Sequence, residues 1–179
     1  MEYNLKAPLD GKVIEKLRAG DRVLLSGTIY TARDAAHERM TRLYIENGEP
    51  FPVDLSEAVI YYAGPCPAKP GEVIGSCGPT TSGRMDAYTP LLLDNGLRVM
   101  IGKGMRNDAV KQSIIKNKAI YLGAIGGAGA LIAECITSSE MVAYEDLGTE
   151  AIRKLTVKNL PLTVLVDCMG NDLYERGNN

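Results

Sequence analysis

The sequence predicts an α/β fold. Two observations carry this: short runs of β-forming residues alternate with stretches of helical periodicity, and apolar and charged residues stand at 45% and 23%, the balance of an ordinary globular protein. At 179 residues the chain suits one compact domain, 1–179, large enough to bury a sizeable core.

Each element has a local reason. Val13, Ile14 and Leu17 give a short helical pattern in the otherwise polar segment 1–20. Arg22–Tyr30 is rich in β-formers and reads as a buried strand. A helix follows from Arg33, with Ala36, Met40, Leu43 and Tyr44 on one face, and stops near Asn47-Gly48. Pro50 and Pro52 mark a loop. Ala58–Ala63 is a strand, ended by the stiff loop Gly64–Gly71, and Glu72–Ser76 reads as a further strand. Thr89-Pro90 looks like an N-cap with proline at the first helical position, opening a short helix through Leu93. Strands are expected at Arg98–Ile101, Ile120–Leu122 and Leu162–Val166. Helices are expected at Asn107–Lys116, Ala128–Ile136 and Thr149–Leu155. No internal repeat or linker appears.

Several function classes are disfavoured. The net charge is -2 and the basic residues are dispersed, which argues against nucleic acid as a partner. No run of 18 apolar residues predicts a membrane span, and Met1–Asp10 lacks the apolar core of a secretory signal, so a cytoplasmic location is expected. Cys66, Cys77, Cys135 and Cys168 form no C-x-x-C pair and predict neither a disulfide framework nor a metal site.

The segment richest in chemistry is Gly78-Pro79-Thr80-Thr81-Ser82-Gly83-Arg84-Met85-Asp86. Its small residues expose backbone N–H groups and hydroxyls, and Arg84 adds a planar fork that can hold a carboxylate by two bonds. The spacing Gly78 to Gly83 approaches a phosphate-binding loop, but Arg84-Met85 stand where Lys and Ser or Thr belong, which argues against a nucleotide. A structural turn with Arg84 paired to Asp86 is the bland alternative. Gly102-Lys103-Gly104 closes a strand, where ligands of α/β sheets gather; alone it reads equally as a turn with a solvated lysine. Arg33 opens a helix, and His37, the only histidine, lies one turn on; a surface arginine and a locally packed histidine explain them as well. Gly123–Ala130 follows a strand and opens a helix but misses the G-x-G-x-x-G spacing, so close helix–sheet packing is expected there, with a backbone wall of the same anion site as the alternative.

Taken in order, Ser26-Gly27-Thr28, Arg33-Asp34-Ala35-Ala36-His37, Tyr62-Ala63-Gly64-Pro65-Cys66-Pro67, Gly78 to Asp86, Gly102-Lys103-Gly104 and Tyr121-Leu122-Gly123 with Ile125-Gly126-Gly127 resemble the beta subunit of class I fumarate hydratases and L-tartrate dehydratases. The chain is equally similar to the C-terminal domain of fused class I fumarases. The resemblance covers most of the chain. It implies a swivelling β/β/α domain and a hydro-lyase inactive without an alpha subunit that carries the 4Fe-4S cluster. It further implies an alpha2beta2 assembly acting on a small dicarboxylate, with no metal ligand in this chain. By the same resemblance Arg33, Arg84 and Lys103 bind substrate carboxylates, with Gly78 and Thr81 beside them. Thr80 is implicated in proton transfer, and His37 in orienting Arg33 or in a proton relay. A stand-alone anion- or phosphate-binding module is the alternative of another class.

Overall fold

The computed structural model describes residues 1–124 and 129–176. Seven strands form one mixed sheet: β1 (Glu2–Ala7), β2 (Arg22–Thr31), β3 (Val59–Tyr61), β4 (Val99–Gly102), β5 (Ile120–Ala124), β6 (Ile136–Ala143) and β7 (Ile152–Val166). The helices are α1 (Gly11–Lys16), α2 (Asp34–Asn47), α3 (Thr89–Asp94), α4 (Asp108–Asn117), α5 (Gly129–Glu134) and α6 (Leu173–Arg176). Short 3₁₀ segments cover Ser82–Met85 and Glu145–Glu150.

β2, β3, β4 and β5 run parallel and are joined through α2, α3 and α4, the connection that parallel neighbours require. β7 runs antiparallel to β5 at one end and to β2 along most of its length. The pairings therefore close a circuit, β2–β3–β4–β5–β7–β2. β1 continues the free flank of β2, and β6 that of β7. Inside the circuit, Leu25, Ile29, Tyr61, Ile101, Leu122, Leu155, Leu160 and Val164 pack with Ile14 of α1 and Leu17 at its C-terminal cap. Alternate residues, Ile60, Met100, Tyr121 and Ile152, pack outward against Ala36 and Met40 of α2, Leu92 and Leu93 of α3, and Val110 and Ile114 of α4. Both faces of the parallel strands are thus buried, which is why their sequences lack polar alternation. Each such fully buried aliphatic side chain contributes about 1.5–3 kcal/mol.

Local chemistry sets the ends. Gly48 terminates α2 in the left-handed region at φ 65°. The Asn107 side chain accepts from Val110 N and starts α4. At Ser26-Gly27 the register between β2 and β7 shifts, and Ser26 Oγ accepts from Asn159 N at 2.9 Å. Gly27 has φ 107°, and a Cβ there would lie 2.6 Å from Ala7 O, so only glycine fits.

Three expectations are corrected. Thr149–Leu155 is not a helix: the 3₁₀ segment ends at Glu150 and β7 begins at Ile152, clamped between β2 and β6. Ladder bonds on both flanks override the helical spacing of Ile152 and Leu155. Glu72–Ser76 is not a strand; it folds back on the proline-rich loop through Cys66 N to Ser76 O and Gly75 N to Cys66 O. Thr89 does not cap α3; Tyr88 holds that position, and the Thr89 hydroxyl donates to Met85 O at 2.8 Å. β1, β6 and α6 have no counterpart in the sequence reading. Ile125-Gly126-Gly127-Ala128, the expected entry to α5, lies outside the described residues.

Candidate anion-binding site

The site forms where β2, β3 and β4 end. After β2, Arg33 is the cap residue of α2. After β3, the chain runs to the 79–86 turn, which lies back over the strand ends: Thr80 N donates to Tyr62 O at 2.8 Å and Ser82 N to Lys103 O at 2.9 Å. Thr81 and Lys103 form a parallel bridge. The turn and the Gly102-Lys103-Gly104 loop are therefore one continuous backbone surface.

Two arginines converge on one carboxylate. Arg33 Nε lies 3.3 Å from Asp34 Oδ1 and 3.2 Å from Glu150 Oε1, and Arg84 Nη1 lies 3.6 Å from Asp34 Oδ2. The Arg33 hydrogen bond to Asp34 runs through Nε. The Arg84 side chain is 57% exposed. Gly64 gives Arg33 its room: a Cβ there would sit 3.0 Å from Arg33 Cδ and 2.9 Å from Thr149 O. Lys103 and Thr81 are exposed and Thr80 half-buried; among the described residues Lys103 forms no ion pair and neither threonine hydroxyl a hydrogen bond. Arg33, Arg84, Thr81, Lys103 and Thr80 thus share one rim. Gly78 faces α5 instead: a Cβ there would lie 3.5 Å from Gly129 Cα at the start of that helix.

His37 is placed differently. It is fully buried, with Nδ1 2.9 Å from Arg33 O and its ring edge-on to Tyr62. Burial pushes its pKa down to about 4; the Arg33 carbonyl opposes this and the nearby Arg106 charge adds to it. At neutral pH the ring is uncharged with its proton on Nδ1, because the Arg33 carbonyl can only accept. Nε2 has no partner among the described residues.

Beneath the rim lies a network that sequence reasoning missed. Arg106 is 3% exposed. It donates to Asp86 Oδ1 at 2.7 Å, Thr89 Oγ1 at 2.8 Å and Tyr62 Oη at 3.3 Å, and lies against the rings of Tyr62 and Tyr121. Burial works against its charge, and Tyr62 and Asp86 outweigh that, so its pKa is raised. Asp86 Oδ2 accepts from Asn107 N at 2.9 Å. The alternative of an Arg84–Asp86 pair is therefore not formed: Asp86 belongs to Arg106 and Arg84 to Asp34. Arg106 lies twenty positions from Asp86, and no local pattern marks the pair.

Two concavities flank the 65–76 loop rather than the rim. One of about 620 Å³ lies between that loop and α5, and one of about 340 Å³ is bounded by Val73, Met141, Thr149 and Arg153. The rim is the candidate site because two guanidinium groups meet there beside a lysine loop and threonine hydroxyls. Among the described residues no three His, Cys, Asp or Glu side chains are grouped to hold a metal ion. Cys77 is buried and its thiol is pushed up to about 12 by burial, which makes it unreactive. No helix among the described residues is long and apolar enough to cross a membrane.

A mixed α/β domain that brings two guanidinium groups, a lysine and threonine hydroxyls to its strand ends has the makings of an anion-binding domain. The comparisons make that class specific: residues 1–177 match the family described as Fumarase C-terminus, and the chain belongs to it. It is 43% identical over 157 residues to "Fumarate hydratase class I, anaerobic" of Escherichia coli (strain K12), covering 87% of this chain and 28% of that protein. It is 39% identical over 181 residues to "Fumarate hydratase 2" of Leishmania major, covering 98% and 32%. It is 38% identical over 184 residues to "Putative L(+)-tartrate dehydratase subunit beta" of Methanocaldococcus jannaschii, covering 99% and 93%. The chain thus spans about a third of those two fumarate hydratases and nearly all of the tartrate dehydratase subunit.

Proposed function

We propose that this chain, as one domain over 1–179, is the beta subunit of an iron–sulfur hydro-lyase that reversibly hydrates fumarate to L-malate. The observation that carries this reading is the Asp34 carboxylate held between Arg33 and Arg84. A pair of guanidiniums that accepts one carboxylate from the chain itself has the spacing to accept one from a substrate. Lys103, on the adjoining loop, supplies the charge for the second carboxylate. Each close charge pair is worth up to about 4 kcal/mol at an effective dielectric near 20. Such fixed charges lower the barrier because they need no reorganisation as charge builds on a carboxylate. Thr80, four positions before Arg84, is the candidate for proton transfer at the adjacent carbon. His37 is a positioning residue: neutral and buried, it fixes the Arg33 carbonyl and so the start of α2.

The rim is open to solvent, whereas this chemistry needs a site that excludes water. We assign the second wall to an alpha subunit, in an alpha2beta2 assembly with this chain folded as a swivelling β/β/α domain. The 4Fe-4S cluster is assigned to that subunit, as the likeness to class I hydro-lyases implies. A cytoplasmic location suits the assembly.

L-tartrate dehydration is the second reading, favoured by one observation: 99% of this chain aligns with the tartrate dehydratase subunit at 38% identity. The test is anaerobic copurification of this chain with its partner, followed by assays with both substrates. Malate formed from fumarate supports the first reading, and tartrate turnover alone supports the second. A complex active on neither overturns the hydro-lyase assignment.

A further inference from the structure

The rim is built from two separate pieces of chain, and one buried phenol ties them. Tyr121 on β5 is fully buried, and its hydroxyl lies 2.7 Å from Ser82 Oγ and 2.8 Å from Gly104 O. A carbonyl can only accept, so the phenol proton goes to Gly104 O and the Ser82 hydroxyl donates to the phenol oxygen. Ser82 lies between Thr81 and Arg84 on the turn; Gly104 directly follows Lys103. The tie therefore bridges the element that carries Thr80, Thr81 and Arg84 and the element that carries Lys103.

The surroundings leave the tie little freedom. Ser82 is fully buried and its N–H is held by Lys103 O. A Cβ on Gly102 would overlap Ser82 Oγ, so the glycine makes the space that the serine fills. The Tyr121 ring lies 4.8 Å from the Arg106 guanidinium, which in turn holds Asp86 at the far end of the turn. Beside the backbone pairing of Thr81 and Ser82 to Lys103, a phenol locked at its ring and at its hydroxyl is a second hold between the turn and the lysine loop.

We propose that Tyr121 is a positioning residue that sets the span between Arg84 and Lys103, and with it the length of dicarboxylate the site accepts. This rests on the reading above, in which those two side chains hold the two carboxylates. It goes beyond that reading by assigning the length preference to a residue that touches no substrate.

The experiment compares malonate and succinate, dicarboxylates of three and four carbons, as competitive inhibitors of the complex with the alpha subunit. Wild type and Tyr121→Phe are measured side by side. The phenylalanine keeps the buried ring and removes both hydroxyl bonds. The proposal expects the ratio of the two inhibition constants to change by about fivefold or more, the worth of one hydrogen bond. A purely structural role weakens both inhibitors equally, and an unchanged ratio overturns the proposal. Ser82→Ala, which cuts one arm of the tie, is the second variant should Tyr121→Phe not assemble; it is expected to change the ratio in the same direction by about twofold, and no change overturns the proposal. A wild-type complex that turns over neither fumarate nor tartrate overturns the hydro-lyase reading itself. That result is distinct from an active complex whose length preference ignores Tyr121.

Discussion

Arg84 and Asp86 stand two positions apart on one turn, yet they belong to different regions of the molecule. Asp86 faces inward to Arg106, in a network where the buried guanidinium bonds Asp86, Thr89 and Tyr62. Arg84 faces outward, with one ion pair among the described residues, to Asp34 at 3.6 Å, and more than half its side chain exposed. The buried region has its charges satisfied, and so it holds a shape. The rim carries cationic groups whose partners are few and long, and so it retains binding capacity. Stability and function are separable across this one turn, and substitutions on either side should report the separation.

The largest effect belongs to the buried side. Arg106→Ala leaves the Asp86 carboxylate buried without its counter-ion, at an expected cost of about 3–5 kcal/mol. Chemical denaturation of the variant checks this. A loss below about 1 kcal/mol would mean that the network gives little rigidity.

His37 comes next, and its sign is fixed by its environment. The folded-state pKa is depressed to about 4, against 6.5 for an unperturbed histidine. Between those values the unfolded chain binds a proton that the folded chain refuses, so stability is full above about pH 6.5 and falls as pH drops towards 4. The loss is on the order of 3 kcal/mol. His37→Asn keeps a donor for the Arg33 carbonyl and removes the titration. Its stability should be flatter across that window, measured as denaturation midpoints from pH 7 to 4.

On the exposed side, Arg84→Ala is expected to cost at least about 100-fold in turnover of the assembled enzyme, by analogy with removal of a transition-state charge contact. Its stability should change by no more than about 0.5 kcal/mol, because the Asp34 pair is solvated. Equal damage to both quantities would erase the distinction between the two regions.

The two regions also differ in how far the sequence discloses them. The rim is legible because its signals are local. Glycines and hydroxyls crowd around Arg84, glycines flank Lys103, and Arg33 sits where a strand gives way to a helix. The core strands β2 to β5 and the helices α2 and α4 were readable for the same reason, since Gly48 and Asn107 mark helix ends by their own conformational chemistry. The buried network was not legible, because Arg106 meets Asp86 only after α3 and β4 have folded between them. β7 was misread over its first residues because Ile152 and Leu155 fit a helical period as well as they fit a strand. Only pairing to β2 and β6 on its two flanks decides between them. His37 was legible as a residue of interest but not as a buried one, since neither Tyr62 nor Tyr88 lies near it in sequence.

The smallest expected effect is the sharpest probe of the rim, because it separates holding from competing. Asp34 touches both arginines, so it either spaces them for the substrate or occupies their place. The geometry favours competition. At 3.6 Å its contact with Arg84 is longer than a charge-assisted hydrogen bond, and both groups are solvated, so the pair is worth about 0–1 kcal/mol and restrains Arg84 little. Asp34→Asn keeps the shape and removes the negative charge, which raises the positive potential available to an incoming dianion. The assembled enzyme should then show a KM lowered by about two- to fivefold. Loss of the acidic residue from the first turn of α2 should cost the fold about 0.3–1 kcal/mol. A raised KM would instead make Asp34 a spacer of the two guanidiniums, and the rim would then be ordered by its own carboxylate much as the network below it is ordered by Asp86.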